Sequence, residues 1–394
     1  RDVLQKIKAA GFNAVSFYFF WGDHQSEEGG SFNFDKGTRR DIDLLLTMAK
    51  EEGLYVIARP GPYVNAEISM GGLPAYMTNY AASSLRSTDP KALAASKSWL
   101  KAFNNIAKKH LITEGGGSII MYQVENELLA ENPSTTAFLK ELSNFVRGDG
   151  INVPLFENDW GLAGRFAPNK AGNPAGKYGS TDFYTYDRYP LGFNCGAGRG
   201  NLDDVEQTFR SHEPVGPHFI AEGQGGAFTP WGANFTPEKC ASFTDGNFVR
   251  QWGTVLAGNG VKAYTYYMIF GGTNWGYTGS PSSGFTSYDY GAGIDEDRTI
   301  RKDKFGAQKE IAYYLQANPQ YVTSNPVAKP DIKRVSGNAQ IRGYQRISSE
   351  GTAELSATGN GGRTLGFILN NTNDTSTNKF TFALDLANAA GVGA

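Results

Sequence analysis

The sequence predicts an α/β fold of the (β/α)8 type, a barrel of parallel strands wrapped by helices, followed by the start of an antiparallel β domain. Three observations carry this. Runs of β-branched and aromatic residues alternate with amphipathic helical patterns through residues 1–325, and strict alternation argues for a parallel sheet with helices outside it. The strand patterns end alike, apolar residues giving way to carboxylates, amides and rings, as strands do when a barrel gathers their C-terminal ends on one working rim. From 326 to 394 helical periodicity vanishes and short strand patterns lie between Ser, Thr, Asn and Gly, the texture of an antiparallel β segment.

In order, a helix covers 1–10, with Val3, Leu4 and Ile7 on one face, and Gly11 stops it. Strand 12–19 follows. Helix 39–52 sets Ile42, Leu45, Leu46 and Ala49 on one side, Gly53 ends it, and 54–58 is the next strand. Helix 91–110 leads to strand 118–124, helix 135–147 to strand 153–156, and 181–186 is a further strand. Helix 203–212 precedes strand 218–221, helix 248–257 precedes strand 262–269, and a helix at 304–315 ends the series. Seven strands are visible, and a chain that opens on a helix predicts an eighth ahead of it, so the first strand is expected to be missing. No G-x-G-x-x-G string follows the first visible strand, against a dinucleotide site. An open doubly wound sheet satisfies the same alternation. In the β segment, strands are expected at 339–344, 364–370 and 379–384.

The totals narrow the function classes. A net charge of −2 over 394 residues offers no attraction for nucleic acid or an anionic membrane. No run of about 18 apolar residues exists for a helical membrane span. Four histidines and two cysteines without zinc spacing predict no metal and no cofactor. Cys195 and Cys240 are either two free thiols or one disulfide. Sequons at Asn234, Asn370 and Asn373 lean toward a secreted, extracellular protein, where a disulfide is permitted. A monomer is expected.

The strand endings carry the chemistry. Strand 12–19 is followed by Trp21 and Asp23, and strand 54–58 by Arg59-Pro60-Gly61-Pro62-Tyr63-Val64-Asn65-Ala66-Glu67. Strand 118–124 delivers Glu125, Asn126 and Glu127; strand 153–156 delivers Glu157, Asn158, Asp159 and Trp160; strand 181–186 delivers Asp187, Arg188 and Tyr189. Strand 218–221 delivers Glu222 and Gln224, and strand 262–269 delivers Asn274, Trp275 and Tyr277. Acceptors, donors and flat faces without a basic cluster suit a neutral polyhydroxy ligand. Two facing carboxyls are what glycoside hydrolysis needs, one to protonate the leaving oxygen and one to attack the anomeric carbon or activate water. A lone strand-end Glu is more often a cap or ion-pair residue; two on one rim beside amides and rings change the balance. Glu125 and Glu127 share strand parity, so alternation does not choose between them. The glycines at 223–226 and 271–272 read as loops that let a ligand approach the backbone.

The strings Ala58-Arg59-Pro60-Gly61-Pro62-Tyr63-Val64-Asn65-Ala66-Glu67, Gln123-Val124-Glu125-Asn126-Glu127-Leu128, Tyr189-Pro190-Leu191-Gly192-Phe193-Asn194-Cys195, Gly271-Gly272-Thr273-Asn274-Trp275-Gly276 and Thr286-Ser287-Tyr288-Asp289-Tyr290-Gly291 resemble the β-galactosidases of glycoside hydrolase family 35, most of all the large secreted fungal enzymes. The resemblance spans about residues 1–320. It implies a catalytic (β/α)8 barrel followed by β domains, and hydrolysis of terminal β-D-galactose with retention. It implies Glu127 as proton donor, Glu222 as nucleophile and Asn126 as the partner of the sugar 2-hydroxyl, with Glu125 in a supporting place. Tyr18, Asn65, Ala66, Glu67, Tyr189 and Tyr290 match galactose-binding positions; Tyr288, two residues from Tyr290, is the alternative contact. Glu67 is expected to read the hydroxyls that distinguish galactose from glucose. Cys195 and Cys240 match a disulfide between two rim loops. The catalytic pair is expected to titrate together, with Glu127 raised by its anionic neighbour. Phe19-Phe20 after Tyr18, and Glu125 before Asn126, depart from the family pattern and bear on preference beyond the galactose ring. A glucoside- or mannoside-cleaving barrel and a galactose-binding protein without turnover are the rival classes.

Overall fold

In the computed structural model the described residues are 1–170, 181–195, 202, 204–230, 232–276, 278–280 and 286–326, with the segments 332–336, 341–348, 364–370 and 381–384. Seven strands form one parallel sheet in chain order: β1 (Ala14–Tyr18), β2 (Tyr55–Arg59), β3 (Ile119–Gln123), β4 (Leu155–Asp159), β5 (Phe183–Arg188), β6 (Phe219–Gln224) and β7 (Ala263–Tyr267). The sheet curls until its ends meet. Phe12, just ahead of β1, lies 5.9 Å from Tyr266 of β7 between ring centroids, and Tyr18 lies 6.1 Å from Tyr267. Among the described residues β1 and β7 are not paired, so this is a nearly closed (β/α)8-type barrel with a seam between them, rather than an open doubly wound sheet.

The outer helices are α1 (Asp2–Ala9), the short α2 (Trp21–His24), α3 (Ile42–Glu51), α4 (Pro90–Ala107), α5 (Pro133–Gly148), α6 (Glu206–His212), α7 (Pro237–Phe243), α8 (Gly246–Gly258), α9 (Lys302–Ala317) and α10 (Gln320–Thr323). Caps set several starts. Asp89 accepts from the N–H groups of Lys91 and Ala92, and Asn132 from those of Ser134 and Thr135, each with proline in the first turn. Periodicity alone placed these helices at 91 and 135. It also missed α2, α7 and α10, which are too short to show a period. The helix expected from 203 begins at Glu206, with Val205 as its N-cap, and residue 203 lies outside the described residues. No helix is long and apolar enough to cross a membrane.

Inside the barrel, Ile57, Phe156, Phe183, Phe219 and Ala221 pack as one buried cluster. Phe156 stands 5.6 Å from Phe183 and 5.7 Å from Phe219 between ring centroids, so this layer is a solid floor. Two residues further along three strands, on the same face by strand alternation, stand Arg59, Gln123 and Asn158, all buried. The floor thus converts sequence parity into a polar layer directly above it.

Past the barrel, β8 (Ser324–Pro326) pairs antiparallel with β10 (Ile341–Ser348), which pairs with β11 (Thr364–Asn370); β9 (Ile332–Ser336) pairs with β12 (Thr381–Leu384). Parts of the expected strands, at 339–340 and 379–380, lie outside the described residues, and β9 was not anticipated. The buried Arg346 of β10 donates to Ala257 O at 2.7 Å, Tyr321 O at 2.9 Å and Ser324 O at 2.7 Å. Tyr344 lies so near α8 that a Cβ on Gly258 would sit 2.2 Å from its ring. Residues on both sides of 325 are therefore packed together.

Candidate active site

The chain leaving β3 is held from both sides. Glu125 N–H bonds Gly61 O beyond β2, and the N–H groups of Val124 and Glu127 bond Phe156 O and Asn158 O of β4, each at 2.9 Å. Glu125 and Glu127 take left-handed backbone, with φ of 65° and 47°. Strand alternation stops there, so two residues of equal parity can point apart. Glu125 turns away to Arg86, at 2.5 Å. Asn126 turns inward, its Oδ1 accepting from Gln123 at 2.8 Å, Tyr18 at 3.0 Å and Arg59 at 3.1 Å. Glu127 reaches the cavity and accepts from Asn65 Nδ2 at 3.0 Å. Asn65, Ala66 and Glu67 are themselves left-handed, with φ of 60°, 53° and 47°. Such non-glycine residues cost on the order of 1–3 kcal/mol each and gather at functional sites.

Glu222 lies opposite. Phe219 and Ala221 face the floor, so strict alternation would send Glu222 outward; a register shift against β7 between Ile220 and Gly223 turns it in. Its Oε1 accepts from Arg59 Nη2 at 2.6 Å, from Asn158 Nδ2 at 3.3 Å and from the Tyr18 hydroxyl, and its Oε2 accepts from the Tyr189 hydroxyl at 2.8 Å. The Arg59 guanidinium stacks 4.0 Å from the centroid of the Tyr18 ring. Carboxylate oxygens of Glu127, Asp187 and Glu222 all lie within 4.8 Å of one another. Asp187 also accepts from Gly161 N–H and stands with Glu127 in this cluster of carboxyls.

Burial is the first cause that raises Glu127, and the charge of Glu222 is the second. The expected lift from the anionic neighbour is therefore present, behind that of burial. Burial likewise pushes Asp187 well above the carboxylate range, with the charges of Glu127 and Glu222 behind it. Glu67 is lifted to about 8, again first by burial, against a hydrogen bond from Tyr288 that lowers it.

The cavity, of about 210 Å³, is lined by Tyr18, Asn65, Ala66, Glu67, Asn126, Glu127, Tyr189, Glu222 and Tyr290, together with Asp187, Tyr267, Trp160, Phe193 and Phe228. Tyr288 is not on its wall. It stands behind Glu67, donating to Oε2 of that carboxyl, and lies 2.8 Å from the Tyr267 hydroxyl. Of the two candidate tyrosines, Tyr290 faces the cavity. Asp187 and Tyr267 were not selected because neither stands in a matched binding position; the place of Asp187 directly at the end of strand 181–186 was its available signal.

Several expected rim residues do not reach the cavity. Trp21 is fully buried and stacks on Trp99, Glu157 accepts from Leu128 N–H beneath the β3 loop, and Asp159 pairs with Arg165 at 2.8 Å. Trp275 is 71% exposed, and Tyr277 lies outside the described residues. The glycine loops are also reassigned. A Cβ on Gly226 would lie 1.8 Å from Tyr290 O, and one on Gly271 1.9 Å from Tyr288 O. These glycines let two rim loops touch backbone to backbone rather than admit a ligand. Cys195, after β5, is disulfide-bonded to Cys240 of α7. Asn234 is exposed, and Asn373 lies outside the described residues.

Glu67 makes stability depend on pH. Its folded pKa of about 8 lies above its ordinary value of 4.5, so the folded chain holds a proton that the unfolded chain releases between those values. Its contribution is complete below 4.5 and is lost as pH rises through about 8. Thermal melts at pH 5 and pH 8 test this: the wild type should lose more melting temperature over that interval than Glu67→Gln, and equal losses would refute it.

The model for "Glycosyl hydrolases family 35" matches residues 1–314. A probable beta-galactosidase A of Neosartorya fischeri is 35% identical over 403 residues, covering 99% of this chain and 37% of that protein. The beta-galactosidase A of a Penicillium species is 38% identical over 338 residues, covering 82% of this chain and 32% of that one. The chain thus spans about a third of the length of such relatives. A crystal structure of a beta-galactosidase from Bacillus circulans sp. alkalophilus superposes with a TM-score of 0.54 at 13% identity, over 80% of this chain and 53% of that one, a likeness of fold.

Proposed function

The chain belongs to the family 35 glycosyl hydrolases, and from that premise we propose that it releases terminal non-reducing β-D-galactose from oligosaccharides, with retention, through a galactosyl-enzyme intermediate. The observation that carries this reading is the approach of Glu127 and Glu222, with oxygens within 4.8 Å. Retaining glycosidases set their carboxyl groups about 5–5.5 Å apart, whereas inverting ones leave roughly 6.5–9.5 Å for a water. The names of the fungal relatives support galactose as the sugar.

In the first step a Glu222 oxygen bonds the anomeric carbon as the glycosidic C–O bond breaks, and Glu127 gives its proton to the departing oxygen. In the second, water attacks the same carbon, Glu127 takes its proton, and the Glu222 carboxylate leaves. Tyr18, Tyr189 and Arg59 aim the Glu222 carboxylate before either step. Asn126 takes the 2-hydroxyl. Glu67, protonated at neutral pH, can donate to one ring hydroxyl and accept from another, and with Asn65, Ala66 and Tyr290 it selects galactose. A cavity below the roughly 300–1,000 Å³ of common ligand pockets suits one pyranose ring. The disulfide and the exposed Asn234 sequon support an extracellular place of action.

Proton NMR of an early reaction with an aryl β-galactoside tests the reading. The β anomer of galactose should appear first and mutarotate later. First appearance of the α anomer would overturn double displacement, and equal turnover of glucosides or mannosides would overturn the substrate.

A further inference from the structure

Arg86 enters from the loop between the turn at Ala75–Asn79 and α4, far in sequence from any strand ending. Its guanidinium lies 4.0 Å from the centroid of the Tyr63 ring. Its Nε and Nη2 donate to Glu125 Oε2 at 3.0 and 2.5 Å, and Nη2 also donates to the carbonyls of Asn126 and of Glu127, the latter at 3.1 Å. Neither carbonyl has another donor among the described residues. Glu125 is wholly buried, so the cation and the carboxylate hold each other in place. Between them they span the two left-handed residues on either side of Asn126.

We propose that Arg86 is the positioning residue for proton donation: with Glu125 it clamps the main chain of 125–127 and so fixes where the Glu127 carboxyl stands against the departing oxygen. The inference rests on Glu127 being the acid. The physical argument is local. A left-handed Glu relaxes toward ordinary backbone unless its surroundings forbid it. The N–H groups of Glu125 and Glu127 are tied to the neighbouring strands, but those bonds leave the peptide planes free to rotate about them. The carbonyls fix the planes, and Arg86 holds two carbonyls in succession. A planar guanidinium with several fixed donors can do this, whereas the point charge of lysine cannot. Glu125, which sequence parity left level with Glu127, is the counter-ion that keeps the clamp in register. Arg86 itself touches neither the cavity nor the sugar.

A displaced acid penalises only substrates that need it. Dinitrophenyl galactosides leave as stable anions and require little proton donation, whereas alkyl galactosides require it fully. For Arg86→Gln, kcat/KM on an alkyl β-galactoside should fall by roughly 10²-fold, the scale of loss from a small misplacement, while on 2,4-dinitrophenyl β-galactoside it should change by less than about threefold. Arg86→Lys, which keeps the charge, should lie between wild type and Arg86→Gln, and it carries the same test where the glutamine variant does not fold. Equal losses on both substrates, or none, would overturn the proposal, because a residue that only stabilises the loop lowers both alike. Glu127→Ala is the reference. If it lacks leaving-group dependence, the acid assignment has failed; if it shows the dependence and Arg86→Gln does not, Arg86 alone is misassigned.

Discussion

Glu222→Gln should lower kcat on an aryl β-galactoside by roughly 10⁵-fold, about 7 kcal/mol of barrier, the scale seen when a covalent nucleophile is removed. The amide keeps the size of the side chain and its one carbonyl oxygen can accept from Tyr18 or from Tyr189, but it cannot form the ester that splits the reaction in two. Arg59, 2% exposed, loses its carboxylate partner at 2.6 Å, and stranding a buried charge costs on the order of 3–5 kcal/mol. A lower melting temperature should therefore accompany the loss. Two further readouts separate chemistry from stability. Glu222→Gln should still bind galactose, and Glu222→Gly with azide should form α-galactosyl azide, the product of attack from the vacated side. Activity within about tenfold of wild type would remove Glu222 from the nucleophile's role.

The second large effect is that of Glu127→Ala. Loss of a general acid removes roughly 10²–10⁴-fold, and it should do so on alkyl galactosides in the first step while sparing dinitrophenyl galactosides there. With activated substrates the missing base should make hydrolysis of the intermediate rate-limiting, so KM should fall together with kcat. Added azide, which needs no base, should restore turnover and yield β-galactosyl azide. Rates that fall alike for all leaving groups, without azide rescue, would remove Glu127 from the acid/base role. Asp187 would then be the next carboxyl to test, since it stands in the same cluster.

The alternation of strands and helices was legible because each strand core is apolar and each helix is amphipathic, and both are one-dimensional signals. The seven strand positions follow to within a few residues. The rim was less legible because alternation fails where the site is built. Glu125 and Glu127 leave strand geometry, and the register shift before Gly223 turns Glu222 inward. Motif resemblance, not periodicity, chose Glu127. Arg86 carries no local signal at all: it lies in an irregular loop, and its hydrogen-bond partners are 39 and more positions away. The glycines at 226 and 271 were misread because a glycine's need for space looks the same in sequence whether a sugar or another backbone fills it. Tyr288 and Tyr290 lie on one string, and only their placement around Glu67 separates the one behind the wall from the one on it.

The bonds of Arg346 carry a consequence for how the chain opens. A single buried cation caps the last turn of α8 through Ala257 and holds the chain leaving α10 through Tyr321 and Ser324. Peeling β10 away would take the buried guanidinium from all three of its carbonyl partners at once, and fraying α8 would remove one of them from the other side. Helix end and β segment are thereby one cooperative unit, whose amides should exchange with solvent at a common rate, instead of a barrel with a loosely hinged tail.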